Sequence, residues 1–101
     1  MLVRLSKRSE KDLEEVGDYI AIDSPMNAVR FIGELREACQ RIGRMPAAYR
    51  ERPELGYGLR SSTLKSYTIF FTIERDEVLI ARVLHGARDI TAGDFQSEGT
   101  A

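Results

Sequence analysis

The sequence predicts an α+β domain in the order β-α-α-β-β-β: an N-terminal strand, then an antiparallel helical hairpin packed on a small antiparallel β-sheet. Three observations predict it. Two successive stretches of the first half repeat apolar residues at helical spacing. Residues Ser66 to Asp89 of the second half read as two strands joined by a polar break. The helical and strand patterns are segregated along the chain instead of alternating, which argues against a parallel βαβ layout.

Leu2 to Leu5 is short and apolar with Arg4 interposed, as in an edge strand. Ser6 is placed to cap the helix that follows, whose stripe is Leu13, Val16 and Ile20. Asp12, Glu14, Glu15 and Asp18 are assigned to its outer side. Gly17 lies mid-helix and costs about 1 kcal/mol relative to alanine, which points to close packing against a neighbour. Asp23-Ser24-Pro25 ends this helix and starts the next, with Ser24 as N-cap and Pro25 at the first helical position. Ala28, Phe31, Ile32, Leu35, Ala38, Cys39 and Ile42 form the second stripe. On its outer face Arg30 can pair with Glu34 and Glu37 with Arg41, one turn apart. Met45-Pro46 stops the helix.

Pro46 to Gly58 reads as a long loop punctuated by Pro46, Pro53, Gly56 and Gly58. Leu59 to Leu64 is a weak, polar strand, and Lys65-Ser66 a turn. Tyr67, Ile69, Phe71 and Ile73 then alternate with Thr68, Phe70, Thr72 and Glu74, the period of a strand. After the break at Arg75, Asp76 and Glu77, the run Val78 to Leu84 is apolar except for Arg82, so this strand is expected inside the sheet and covered on both faces. Residues 1–95 are read as a single domain and 96–101 as a disordered tail.

A chain of 101 residues, 43% hydrophobic and 31% charged, belongs to the soluble globular class. No apolar run reaches the roughly 20 residues of a membrane span. The N-terminus lacks an apolar signal core, and Cys39 has no disulfide partner, so a cytoplasmic protein is expected. One cysteine and one histidine do not supply a structural zinc site, and no phosphate-binding glycine loop is present, so neither metal nor cofactor is expected. A net charge of -1 argues against coating nucleic acid by bulk charge. The charge is uneven, however: Arg41, Arg44, Arg50, Arg52 and Arg60 crowd one stretch while the first helix is acidic. That stretch suits an acidic partner.

Chemistry is sought first at the polar end of the last strand. Cys39 lies on an apolar stripe and reads as core. Arg60, Arg82 and Arg88, with Lys65, Tyr67 and His85, can be imagined converging on an RNA phosphate. Cleavage also needs two proton-transfer groups, and no tyrosine or second histidine follows His85. The competing reading pairs Arg60 and Arg82 internally with the many acids.

Three segments carry a family resemblance: YIAIDSPMNAVRFIGEL, RMPAAYRERPELGYGLR and SYTIFFTIERDEVLIARVLHGARD. Pro25 and Ala28 open a helix, Gly58-Leu59-Arg60 follows a proline-containing loop, Tyr67, Ile69 and Phe71 mark a strand, and Arg82, Val83, His85, Gly86, Arg88 and Asp89 end the last one. This ordered set, from about Leu2 to Ile90, resembles the RelE/ParE superfamily of bacterial toxins, and its ParE branch in particular. The resemblance implies a type II toxin–antitoxin toxin that inhibits DNA gyrase by protein binding, without catalytic residues, sequence-specific DNA binding or membrane contact. It implies a ParD-like antitoxin as partner in a hetero-oligomer. RelE-like cleavage of mRNA is the alternative, disfavoured by the missing C-terminal tyrosine. Expected target contacts are Arg60, Arg82, His85, Arg88 and Asp89. Expected antitoxin contacts are Tyr19, Phe31, Leu35, Tyr49 and Tyr57.

Overall fold

The structure, a computed structural model, describes residues 1–86 and 88–96. β1 (Leu2–Leu5) is followed by α1 (Lys7–Ala21) and α2 (Pro25–Ile42). Then come β2 (Arg50–Glu51), β3 (Arg60–Leu64), β4 (Tyr67–Glu74) and β5 (Glu77–His85). Short 3-10 turns lie at Pro46–Ala48 and Ala92–Phe95. The α+β order is the one expected, with a two-residue β2 added inside the long loop. Beyond Gln96, which is exposed, the expected tail lies outside the described residues.

Both helix starts follow their sequence signals. Ser6 Oγ accepts from Ser9 N at 3.0 Å and Ser24 Oγ from Asn27 N at 3.2 Å, with Pro25 opening α2. The buried side of α1 is wider than the apolar stripe, because Ser9 and Asp12 are enclosed along with Leu13 and Val16. Asp12, expected on the outer side, is therefore a buried residue at 3% exposure. At Gly17 an added Cβ would meet Ile32 Cγ1 at 3.4 Å, an ordinary contact, so packing there does not demand glycine. Gly43 is different: a Cβ would stand 2.6 Å from Met1 O and 2.7 Å from Val3 Cγ2. The surface ion pairs of α2 run between elements, Arg36 to Glu10 at 2.8 Å and Lys65 to Glu34 at 3.2 Å.

The sheet order is β1-β5-β4-β3-β2. β2 to β5 pair antiparallel, whereas β1 runs parallel to β5, so the sheet is mixed. At the end of β1, Ser6 N donates to Ile80 O at 3.0 Å and Ser6 Oγ to Ala81 O at 3.1 Å, where the chain passes from the sheet into α1. β5 lies inside the sheet as its apolar run predicts.

Phe70 pairs with Arg82 but Phe71 with Ile80, leaving Ala81 as an extra residue. This bulge reverses the alternation along β5. Val78, Ile80 and then Val83 join Ile69, Phe71, Leu35 and Cys39 in the core beneath the helices. Phe70 and Leu84 turn to the opposite face, where Leu55, Leu59, Ile90 and Phe95 cover them. Phe70 and Phe95 meet edge to face, with centroids 4.8 Å apart.

Candidate functional site

β1 ends opposite Ile80, so the outer edge of β5 has no strand beside it from Arg82 onward. Polar groups of α1 stand there instead. Asp12 Oδ2 accepts from Val83 N at 3.0 Å and from Arg82 Nε at 2.8 Å, and Oδ1 accepts from Arg82 Nη2 at 3.0 Å. Arg82 is 7% exposed. The hydrogen bonds that Arg82 donates to Asp12 outweigh burial and raise the pKa of Arg82 above the ordinary arginine value. Its remaining Nη1 donates to Asp94 O at 2.9 Å.

Past His85 the chain turns back along the sheet. Gly86 N donates to Ser66 O at 2.7 Å, and Arg88 N to His85 O at 3.2 Å. Thr91 and Asp94 form a reciprocal cap on the turn Ala92–Phe95, in which Thr91 N donates to Asp94 Oδ2 at 2.9 Å. Arg88 Nη2 donates to Asp94 Oδ1 at 2.6 Å, while nearly half of the Arg88 side chain stays in solvent. His85 and Asp89 are exposed.

The expected target residues thus divide. His85, Arg88 and Asp89 form an exposed cap where β5 ends. Arg82 lies beneath that cap and is spent internally. Arg60 lies elsewhere, opposite Phe71 on β3, and donates to Ala47 O at 3.1 Å and Tyr49 O at 2.7 Å, which ties down the loop after α2. Arg82 pairs with buried acid, as the competing reading has it, whereas Arg60 is held chiefly by backbone carbonyls, with Glu51 3.8 Å away.

The expected antitoxin residues divide too. Tyr19 is 73% exposed and Tyr57 stands wholly in solvent. Tyr49 is half-buried, edge-on to Phe71 at 5.7 Å. Leu35 is fully enclosed, so a partner reaches it only if the helices part. Phe31 joins the cap: its ring lies 5.5 Å from Tyr67, whose ring in turn stands edge-on to His85 at 5.0 Å, with Lys65 Nζ 5.5 Å from the Phe31 ring. Burial pushes the Tyr67 phenol up, so it keeps its proton at neutral pH.

Asp12 and Asp94 are the residues that sequence reasoning passed over. Asp12 had a signal: Ser9, Asp12, Val16 and Ile20 share one face at spacings of three and four, so the aspartate lies on the buried stripe itself. A lone arginine in an apolar strand also requires a buried acid. Asp94 had the Thr-x-x-Asp spacing of a cap. Among the described residues, no group of three histidine, cysteine or acidic side chains is placed to hold a metal ion. None of the described helices is long and apolar enough to cross a membrane.

Residues 3–90 match the family described as the ParE toxin of the type II toxin-antitoxin system, parDE. Several solved structures share the fold, two of them as follows. A chain of the chromosomal ParDE TA system from P. aeruginosa superposes with a TM-score of 0.74 at 20% identity, covering 84% of this chain and 95% of that one. A chain of the toxin-antitoxin complex RelBE2 from Mycobacterium tuberculosis gives 0.62 at 24% identity, covering 83% and 95%. No curated protein matches the sequence.

Proposed function

Because this chain belongs to the ParE toxin family of type II toxin–antitoxin systems, we propose that it acts by binding, inhibiting DNA gyrase through the cap formed by His85, Arg88 and Asp89, and that a ParD-like antitoxin neutralises it. One observation carries this reading. The guanidinium groups that would grip a phosphate, those of Arg82 and Arg60, are occupied by Asp12, Asp94 and the carbonyls of Ala47 and Tyr49. The groups exposed past the end of β5 are a cation, Arg88, which also pairs with Asp94, an anion, Asp89, and the imidazole of His85, packed edge-on against Tyr67. That mixture suits a protein surface, where aromatic anchors and arginine carry most of the binding energy.

The antitoxin reading draws on the family and on the two solved relatives, both from toxin–antitoxin systems. An acidic antitoxin segment has Arg41 and Arg44 to pair with. They line a cleft with Leu5, Arg36, Glu37 and Gln40, beside the open edge of β1. Tyr19, Phe31 and Tyr57 offer apolar anchors elsewhere on the surface.

Cleavage of mRNA is the second reading, and the Tyr67–His85 contact favours it, since it brings two proton-bearing groups together. A single pair of assays separates the two. Purified toxin at micromolar concentration is expected to stop gyrase from supercoiling relaxed plasmid, with Arg88→Ala weakening the effect about tenfold. Supercoiling left untouched, together with new mRNA ends on induction that vanish in His85→Ala, would transfer the function to RNA.

A further inference from the structure

We infer that Asp12 is a positioning residue for the exposed cap: acting through Arg82, it sets how Arg88 is presented to the target. The inference rests on the proposed reading of that cap as the target-binding surface.

An enclosed carboxylate must have its oxygens satisfied, and those of Asp12 accept three short hydrogen bonds, two from Arg82 and one from Val83 N. Stability alone does not call for the charge pair, because well-packed apolar side chains of similar size often replace a buried ion pair without loss. What the pair adds is direction. The guanidinium is a rigid planar fork. With Nε and Nη2 fixed on Asp12, Nη1 is aimed at Asp94 O, 2.9 Å away. The Asp94 carboxylate then holds Arg88 at 2.6 Å through Oδ1 and Thr91 N at 2.9 Å through Oδ2. An unbroken run of polar contacts therefore leads from α1 to the exposed Arg88. Arg82 Nη1 already stands 3.9 Å from Asp94 Oδ1. If the charge of Asp12 is removed, Arg82 swings to Asp94 and competes with Arg88 for the same oxygen.

Three variants of the full chain test this. Asp12→Asn keeps the shape and an oxygen for Val83 N but loses the charge. Asp12→Glu keeps the charge. The double variant Asp12→Leu with Arg82→Met replaces the pair by apolar side chains and is expected to fold, melting somewhat below the parent chain because Val83 N loses its acceptor. In Asp12→Asn and in the double variant, the Thr91 amide is expected to exchange about tenfold faster and gyrase inhibition to weaken about tenfold, with antitoxin affinity held within about twofold. Asp12→Glu is expected to recover much of the inhibition. A folded double variant that keeps the Thr91 amide protected and inhibits gyrase as well as the parent would overturn the proposal. So would a parallel loss of antitoxin and gyrase binding, which marks general unfolding. If Asp12→Asn does not fold, the double variant decides alone. If the parent chain leaves gyrase untouched, the target reading fails, while the exchange of Thr91 still judges the positioning.

Discussion

Cys39 is fully enclosed beneath the helices, and burial pushes its thiol from the ordinary 9.0 up to about 11, with Arg36 opposing the shift only in part. The consequence for stability has a definite sign. Below pH 9 the thiol keeps its proton in both the folded and unfolded chains, and its contribution is complete. As pH rises from 9 towards 11, the unfolded chain ionises first and the folded state loses ground, at about 1.4 kcal/mol per pH unit at most. Tyr67 also titrates in alkali, so a comparison that cancels it is needed. Urea unfolding of the parent chain and of Cys39→Ala, measured from pH 8 to 10.5, provides one. The alanine variant is expected to be less stable by about 1 kcal/mol at pH 8, from the small cavity, and the gap is expected to close or reverse by pH 10.5. A gap independent of pH would show that the thiol is not held in its neutral form by the fold.

At the scale of elements, the two helix caps look alike in sequence and differ in what they support. Ser24 sits at an exposed turn and accepts one backbone N–H. Ser6 accepts one as well, but its hydroxyl also donates to Ala81 O, and its own carbonyl accepts from Ser9 Oγ. Ser24→Ala is expected to cost about 1 kcal/mol and Ser6→Ala about 2 kcal/mol, because the latter also leaves part of the β5 edge unsatisfied. Urea midpoints of the two variants check the ranking, and equal costs would mean that the Ala81 contact adds nothing. Caps, stripes and the order of elements were legible in the sequence because each is a local pattern. The bulge at Ala81 was not, since the run Val78 to Leu84 is apolar nearly throughout and carries no mark of which residue is extra. Its effect reached the candidate site: it placed Arg82 opposite Phe70, with its side chain directed to Asp12 and Asp94, where simple alternation would have set it beside Ile80. The cap itself was legible as a polar ending to an apolar strand, but its hold on the segment from Arg88 to Phe95 depends on contacts 70 residues apart in sequence. Such pairs leave no trace in local spacing.

Over the whole molecule, one sheet is covered by helices on one side and by the loop around Leu55 and the turn at Phe95 on the other, and some apolar surface stays outside. Much of it lies at the connection between the helices, where Tyr19, Ile22, Met26 and Val29 are each between 72% and 80% exposed. Single exposed apolar residues are ordinary in a domain of this size, but four at one corner are the pattern of a surface that is covered in a complex. In a toxin held silent by an antitoxin, such a surface is expected to show its worth in binding and not in folding. Tyr19→Ala and Leu35→Ala separate the two. Both residues are on the helices, yet one stands in water and the other is fully enclosed. Leu35→Ala is expected to lower stability by about 2–5 kcal/mol, and its effect on antitoxin affinity should disappear once the unfolded fraction is subtracted. Tyr19→Ala is expected to leave stability within about 0.5 kcal/mol and to weaken antitoxin binding about tenfold in calorimetric titration. Superimposable titrations for the parent chain and Tyr19→Ala would remove this corner from the antitoxin interface and leave Tyr57 and the arginines beside β1 to carry it.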